Sequence, residues 1–262
     1  MKPQFTGLTD IGNVRAVNQD AFHLDSEGRF FIVADGMGGH AGGQEASQIA
    51  AQVIQEYLNS YWETSEPSPA LLKGAFQAAN KAILQDQKNH PERSDMGTTA
   101  VVVLFRDENQ PWYANVGDSR LYRLRGESLQ QLSEDQTWVA QAVKREVLTP
   151  EEARTHPWRH VLSQCLGRED LTMIEIEGLD IQPGDRLLLC SDGLTEELPD
   201  DLIGQVLAGS VDYEAIASHL VREAKAREGK DNVTVVLVGF DPLDSLHPVD
   251  QLDLIDPENG PA

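Results

Sequence analysis

An apolar run, residues 29–34 (RFFIVA), ends on Asp35, and the nine residues 35–43 (DGMGGHAGG) contain five glycines. Beyond them Ala46, Ile49, Ala50, Val53, Ile54, Tyr57, Leu58 and Tyr61 recur at spacings of three and four. That is the pattern of a buried strand, a glycine-rich turn and an amphipathic helix. Such a turn usually cradles phosphate with its backbone N–H groups. Here it opens with a carboxylate, which repels phosphate. A dinucleotide fingerprint beginning at Gly36 and Gly38 also needs glycine at 41, which is alanine, and no Lys-Ser/Thr pair follows to make a P-loop.

Around this unit the chain mixes strands and helices. A second helix is expected from about Pro69, with Leu72, Ala75, Phe76, Ala79 and Ile83 on one face. Strand-like runs follow at 98–105, 112–116 and 120–124, and Gly117-Asp118-Ser119 between the last two is expected to be a tight hairpin. Strands resume at 186–190 and 232–240, separated by a helix that carries Tyr213, Ile216, Ala217, Leu220, Val221 and Ala224. The polar stretch 133–170 is an excursion from the core, a lid, with Thr149, Pro150 and Glu152 marking a helix start. The order fits no simple alternating parallel sheet, and an α+β layered sandwich is expected. Residues 241–262 hold six acids, four prolines and no Lys or Arg, and are read as a disordered acidic tail.

The net charge of 21 − 43 = −22 argues against nucleic acid and anionic membrane as partners. The longest apolar run is about six residues, Ala100–Phe105, and the first ten residues have no signal-peptide core, so neither a span nor secretion is expected. The two cysteines are Cys165 and Cys190, and the latter ends an apolar strand as a buried reduced thiol. A cytoplasmic location follows.

Four aspartates share one setting. Asp35 and Asp192 each leave an apolar strand into glycine, Asp118 follows Gly117 at a turn, and Asp231 leads into the strand NVTVVLV. They are 83, 74 and 39 residues apart in sequence, yet strand ends can converge at one rim. Converging carboxylates repel each other unless cations hold them, and oxygen ligands without adjacent His or Cys select Mg²⁺ or Mn²⁺. The bland reading of each is a turn, because Asp-Gly is a common turn signal.

Six ordered motifs then carry a resemblance: RAVNQDAF (15–22), FIVADGMGGHAGGQEAS (31–47), MGTTAV (96–101), ANVGDSRLYRL (114–124), LLLCSDGLTEEL (187–198) and GKDNVTVVLV (229–238). Together they resemble the bacterial branch of the metal-dependent Ser/Thr protein phosphatases, the type 2C or PPM family, over roughly residues 5–240. The resemblance implies a four-layer αββα sandwich, two antiparallel sheets packed face to face and flanked by helices, with residues 1–240 as the phosphatase domain and a flap at about 133–170. It implies that Asp35 bridges two metals, that the Gly36 carbonyl ligates one, and that Asp192 and Asp231 complete the first metal's shell. Asp118 with Asp192 takes a third metal, Asp20 meets the second through water, Arg15 binds phosphate, and Asn232 adjoins the metal aspartate.

The reaction implied is hydrolysis of phosphoserine or phosphothreonine on proteins by direct attack of a metal-bridging water, with two Mg²⁺ or Mn²⁺ ions and a third. A cysteine-nucleophile route is closed, since the positions six after each cysteine are Leu171 and Glu196 rather than arginine. Eukaryotic members place histidine after Asp-Gly, where this chain has Met37. His40 is the candidate general acid, or a loop histidine among glycines. Gln136 stands where many relatives carry histidine. The flap wording HPWRHVLSQCLGRED (156–170) is similar to cyanobacterial members, one of which acts on the phosphoserine form of the PII signalling protein. There His160 and Arg159 are candidates to reach bound phosphate and select substrate, the alternative being a partly packed flap helix. The chain is taken as a monomer acting on a phosphorylated protein, and a non-catalytic phosphoprotein-binding pseudophosphatase is the alternative.

Overall fold

The computed structural model describes residues 3–39, 42–107 and 110–240. The acidic tail and His40 lie outside the described residues. Eleven strands within them form two antiparallel sheets. One sheet has the order β1 (Gln4–Asp10), β11 (Val233–Gly239), β10 (Arg186–Cys190), β7 (Arg120–Arg125), β8 (Ser128–Gln131). The other runs β2 (Asp20–Leu24), β3 (Phe30–Met37), β5 (Ala100–Leu104), β6 (Trp112–Val116), β9 (Glu175–Gly178), and β4 (Gly97–Thr98) pairs with the end of β3.

The alternation of side chains along the strands builds the layers. In β3, Phe31 and Val33 point to the other sheet, while Phe30, Ile32 and Ala34 point outward onto helices α1 (Gly42–Tyr61) and α2 (Ser68–Asn89). In β10, Leu187 and Leu189 face the middle layer, while Leu188 and Cys190 face α6 (Asp200–Ala208) and α7 (Tyr213–Arg227). Strands covered on both faces must be apolar at every position, which is why these runs read as unbroken hydrophobic stretches. The arrangement is the expected four-layer αββα sandwich.

Two local expectations are corrected. Gly117-Asp118-Ser119 is no hairpin: β6 pairs with β5 and β9, and β7 with β10 and β8, so neither has a free edge for the other. The turn carries the chain from one sheet to the other. Gly117 makes it at φ +104°, with Thr99 so close that a Cβ would meet Thr99 Cγ2 at 2.5 Å. The run 98–105 is also not one strand. It breaks at Thr99 into β4 and β5, and β4 pairs with the end of β3 at Gly36 and Met37.

The stretch 133–170 carries two short helices, α3 (Trp138–Lys144) and α4 (Pro150–Thr155). Thr149 caps α4 in a full capping box with Glu152, as the sequence predicts.

Candidate metal centre at the sheet rim

The ends of β2, β3, β6, β10 and β11 meet at one rim of the sandwich. Asp20 and Asp35 are direct cross-strand partners, an arrangement in which like charges destabilise the pair. The side chain of Asp20 reaches to the opposite sheet. Its Oδ2 accepts hydrogen bonds from Ser191 Oγ at 2.8 Å and Thr234 Oγ1 at 2.6 Å. Thr234 Oγ1 lies 2.7 Å from Thr9 Oγ1 and has already given its proton to Asp20, so Thr9 donates to Thr234. Asn18 Nδ2 donates in turn to Thr9 Oγ1 at 2.8 Å. The other oxygen, Asp20 Oδ1, is buried without a partner.

Asp35 is held by its backbone. Its N–H donates to Thr99 Oγ1 at 2.9 Å, and its carbonyl accepts from Thr98 Oγ1 at 2.8 Å and Thr99 N–H at 2.9 Å. Ser119 Oγ joins Thr99 Oγ1 at 2.7 Å and ties the Asp118 turn to the same threonine. Gly36 beside it admits no side chain, since a Cβ would lie 1.9 Å from the Gly43 carbonyl oxygen and 2.6 Å from that of Gln19. Asp192 opens the short helix α5 (Asp192–Thr195) directly after Ser191, and Asp231 stands two residues before β11.

Burial and mutual repulsion raise the proton affinity of this group. Burial pushes the Asp20 carboxyl up to about 7, against the hydrogen bonds from Thr234 and Ser191. Asp35 is held well above the usual carboxylate range by burial and by the charges of Asp20, Asp192 and Asp118. Asp118 is raised in the same way by burial and Asp192, and Asp192 by burial and Asp231. Four acids that cannot all ionise unaided, with one buried oxygen orphaned, fit divalent cations. The donor set is all hard oxygen, which suits Mg²⁺ or Mn²⁺.

Arg15 sits on the loop between β1 and β2, its Nη2 2.5 Å from Asp231 Oδ2 and its side chain half-exposed. Pairing with Asp231 raises its pKa further, so it stays cationic. Asn232 secures that loop. Its Oδ1 accepts Gln19 N–H at 2.7 Å, and its Nδ2 donates to Ile11 O at 3.0 Å and Val17 O at 3.1 Å. The flap closes over one side of the rim. His160 Nδ1 contacts Glu196 Oε1, and ligating atoms of His160, Asp192 and Glu196 lie within 4.8 Å of one another. Burial and the Asp192 charge push Glu196 up to about 7, whereas burial and Arg159 lower His160.

The structure thus brings together Arg15, Asp20, Asp35, Gly36, Asp118, Asp192, Asp231 and Asn232, with His160 at the margin. Sequence reasoning missed Thr98, Thr99, Ser191, Thr234 and Glu196. All five lie inside or beside the quoted motifs, and Glu196 follows Asp192 at i+4, the spacing of one helical face. Gln136, which replaces the histidine of many relatives, holds the Asp118 turn in place. Its Oε1 accepts Gly117 N–H at 3.1 Å and its N–H donates to Gly117 O at 2.9 Å, clasping the turn from both sides.

Fold and rim together place a cluster of buried carboxylates at one edge of an αββα sandwich. The family profile for protein phosphatase 2C matches residues 13–231. The serine/threonine phosphatase stp of Listeria monocytogenes is 34% identical over 238 residues, covering 89% of this chain and 94% of that protein. The crystal structure of Mycobacterium tuberculosis PstP/Ppp superposes with a TM-score of 0.81 at 35% identity, covering 92% of this chain and 99% of that one. The PstP catalytic domain crystallised with two manganese ions gives 0.77 at 34% identity, with coverages of 90% and 97%. The chain belongs to the protein phosphatase 2C family of Ser/Thr phosphatases. Its substrates are phosphorylated proteins.

Proposed function

We propose that the rim is a two-cation phosphatase centre in which Asp35, the Gly36 carbonyl, Asp192 and Asp231 hold Mg²⁺ or Mn²⁺. Asp118 and Asp192 take a third ion, and Asp20 acts through water. The observation that carries this reading is the convergence of mutually repelling buried carboxylates around the orphaned Asp20 Oδ1. The manganese-bound PstP relative supports the choice of ion.

The chemistry such ions supply is activation of water near neutral pH and charge neutralisation at phosphorus. The protein's own groups orient and bind. Arg15 leaves Asp231 and presents its planar fork to phosphate oxygens, for which a guanidinium has matching geometry. Asp20 is fixed by Ser191 and Thr234 with one oxygen left toward the site. Asn232 keeps the Arg15 loop in register. A thiol intermediate has no role, since burial pushes Cys190 up to about 12 and Cys165 up to about 11. The pseudophosphatase alternative is disfavoured, since no candidate metal aspartate is missing.

The purified chain is expected to release p-nitrophenol from p-nitrophenyl phosphate with Mn²⁺ and to stop on chelation. Turnover that survives removal of every divalent ion refutes the centre. Residues 1–240 carry the activity, so a chain truncated there keeps the same rate, and a lost rate assigns the tail a part in catalysis. Arg15→Ala is expected to raise KM for a phosphopeptide about tenfold or more, as loss of a charge-assisted contact does, with a smaller change in kcat. An unchanged KM removes the phosphate-binding role.

The flap wording at 156–170 supports a narrower substrate, phosphoserine PII. Phosphorylated PII left intact under conditions that cleave p-nitrophenyl phosphate refutes it. Two buried, unpaired cysteines support a cytoplasmic location, and no helix among the described residues is long and apolar enough to cross a membrane.

A further inference from the structure

Several large apolar side chains stand in solvent on the flap: Trp138 at 36%, Val147 at 67%, Trp158 at 54% and Val161 at 48% exposure. Trp138, His156 and Trp158 pack on one another. The Trp138 and His156 rings stack with centroids 5.0 Å apart, and Trp158 meets Trp138 edge-on at 5.0 Å and His156 at 5.8 Å. None of the three rings belongs to the three buried clusters of the sandwich.

The cluster is built rather than loose. Trp158 N–H donates to His156 Nδ1 at 3.1 Å, which fixes the imidazole orientation. Trp138 N–H donates to Val161 O at 2.7 Å, and Thr137 bridges to Leu162, so the start of α3 is tied to the segment behind Trp158. Val161 N–H donates to Trp158 O at 3.0 Å and closes a tight turn. Between them in that turn lie Arg159 and His160, and His160 touches Glu196 beside Asp192. One turn therefore carries the aromatic surface at one end and a contact with the catalytic rim at the other.

We propose that Trp138, His156 and Trp158 form a docking platform for an apolar side chain of the phosphoprotein substrate. The proposal rests on the phosphatase reading of the rim, because the occupant is the polypeptide that delivers its phosphate there. Continuity argues for the occupant: the turn that holds Trp158 also brings His160 to the rim, so it lies beside the position of a phosphoresidue bound there. The reach sets the position. The ends of a tight turn lie within about 7 Å, and an extended chain advances about 3.3 Å per residue. The platform then meets a residue about two to four positions from the phosphorylated one. Aromatic faces accept aliphatic and aromatic side chains and disfavour a carboxylate, which loses its hydration with nothing in return.

The test uses the full chain with Mn²⁺ and two phosphothreonine peptides, one with Leu and one with Asp at positions two to four on both sides. An apolar subsite discriminates by roughly 10-fold to 200-fold, so the Leu peptide is expected to have at least about tenfold higher kcat/KM. In Trp158→Ala the loss falls on the Leu peptide, and the ratio between peptides collapses toward one. Trp158→Phe retains the preference. Wild-type enzyme that treats both peptides alike overturns the platform. So does a Trp158→Ala variant that slows both peptides and p-nitrophenyl phosphate by the same factor, since that is a purely structural role for the ring. Failure of every substrate to turn over with Mn²⁺ removes the phosphatase reading itself, and the platform with it.

Discussion

Asp192→Ala is expected to remove most of the turnover while the protein still folds. Asp192 stands at the meeting point of the rim: Asp35, Asp118 and Glu196 all feel its charge, and it is shared by two of the proposed ion positions. Losing a partner that merely orients a metal ligand typically costs 10-fold to 100-fold in affinity or activity. Removing a shared ligand is therefore expected to cost more than about 100-fold in kcat/KM, and excess Mn²⁺ does not restore it. The fold is expected to survive because Asp192 lies outside the strands, and its loss, although it removes a hydrogen bond with Asp35, relieves repulsion on Asp35 and Asp118. Steady-state kinetics and a melting curve on one preparation check both halves. A variant with near-normal turnover displaces the centre from this rim.

Metal removal has the second large effect, and it depends on pH. The carboxyls of Asp20, Asp35, Asp118 and Asp192 are all raised above their unfolded value of 3.8, Asp20 to about 7. A raised acid binds its proton more tightly in the folded chain. Its contribution to stability is therefore complete below the unfolded pKa and is lost as pH rises through the folded one. The metal-free protein is thus expected to melt at lower temperature at pH 8 than at pH 5.5. Cations reverse the loss by replacing the protons. At Mn²⁺ a hundredfold above its Kd the gain is about 2.7 kcal/mol, which for a domain near this size raises Tm by roughly 5–10 °C. The gain is largest at the higher pH. Differential scanning fluorimetry with EDTA or Mn²⁺ at the two pH values reads it directly. A Tm indifferent to metal at pH 8 contradicts the site, and Asp20→Asn should flatten the pH dependence of the metal-free form.

Elements buried on both faces were legible in the sequence. The runs that became β3, β5, β10 and β11 are mostly apolar, and α1, α2 and α7 show their buried stripes at helical spacing. Strands β1 and β9 were not legible, because their residues are only half-buried and their composition, QFTGLTD and EIEG, carries no strand period. The Gly117 turn misled because local turn chemistry is the same whether the next strand pairs with the last one or leaves for another sheet. Pairing is settled by which edges remain free, a long-range property. In the site, aspartates at strand ends could be read, whereas Ser191 and Thr234 could not. A hydroxyl on a buried strand looks like filler until Asp20 is seen reaching across from the other sheet.

The pairing of β1 with β11 and the seating of the Arg15 loop on Asp231 and Asn232 join residues more than 210 positions apart. Contacts of such separation close a long loop, whose ordering cost opposes them until the distant segment is present. While the chain is still being synthesised, Asp35 and Asp118 can already lie at the end of their sheet, but the Arg15 loop has nothing to rest on until residues 229–239 leave the ribosome. Nascent or terminated chains that lack residues 229–239 are therefore expected to be silent toward phosphoproteins, and dephosphorylation to begin only once that segment has emerged.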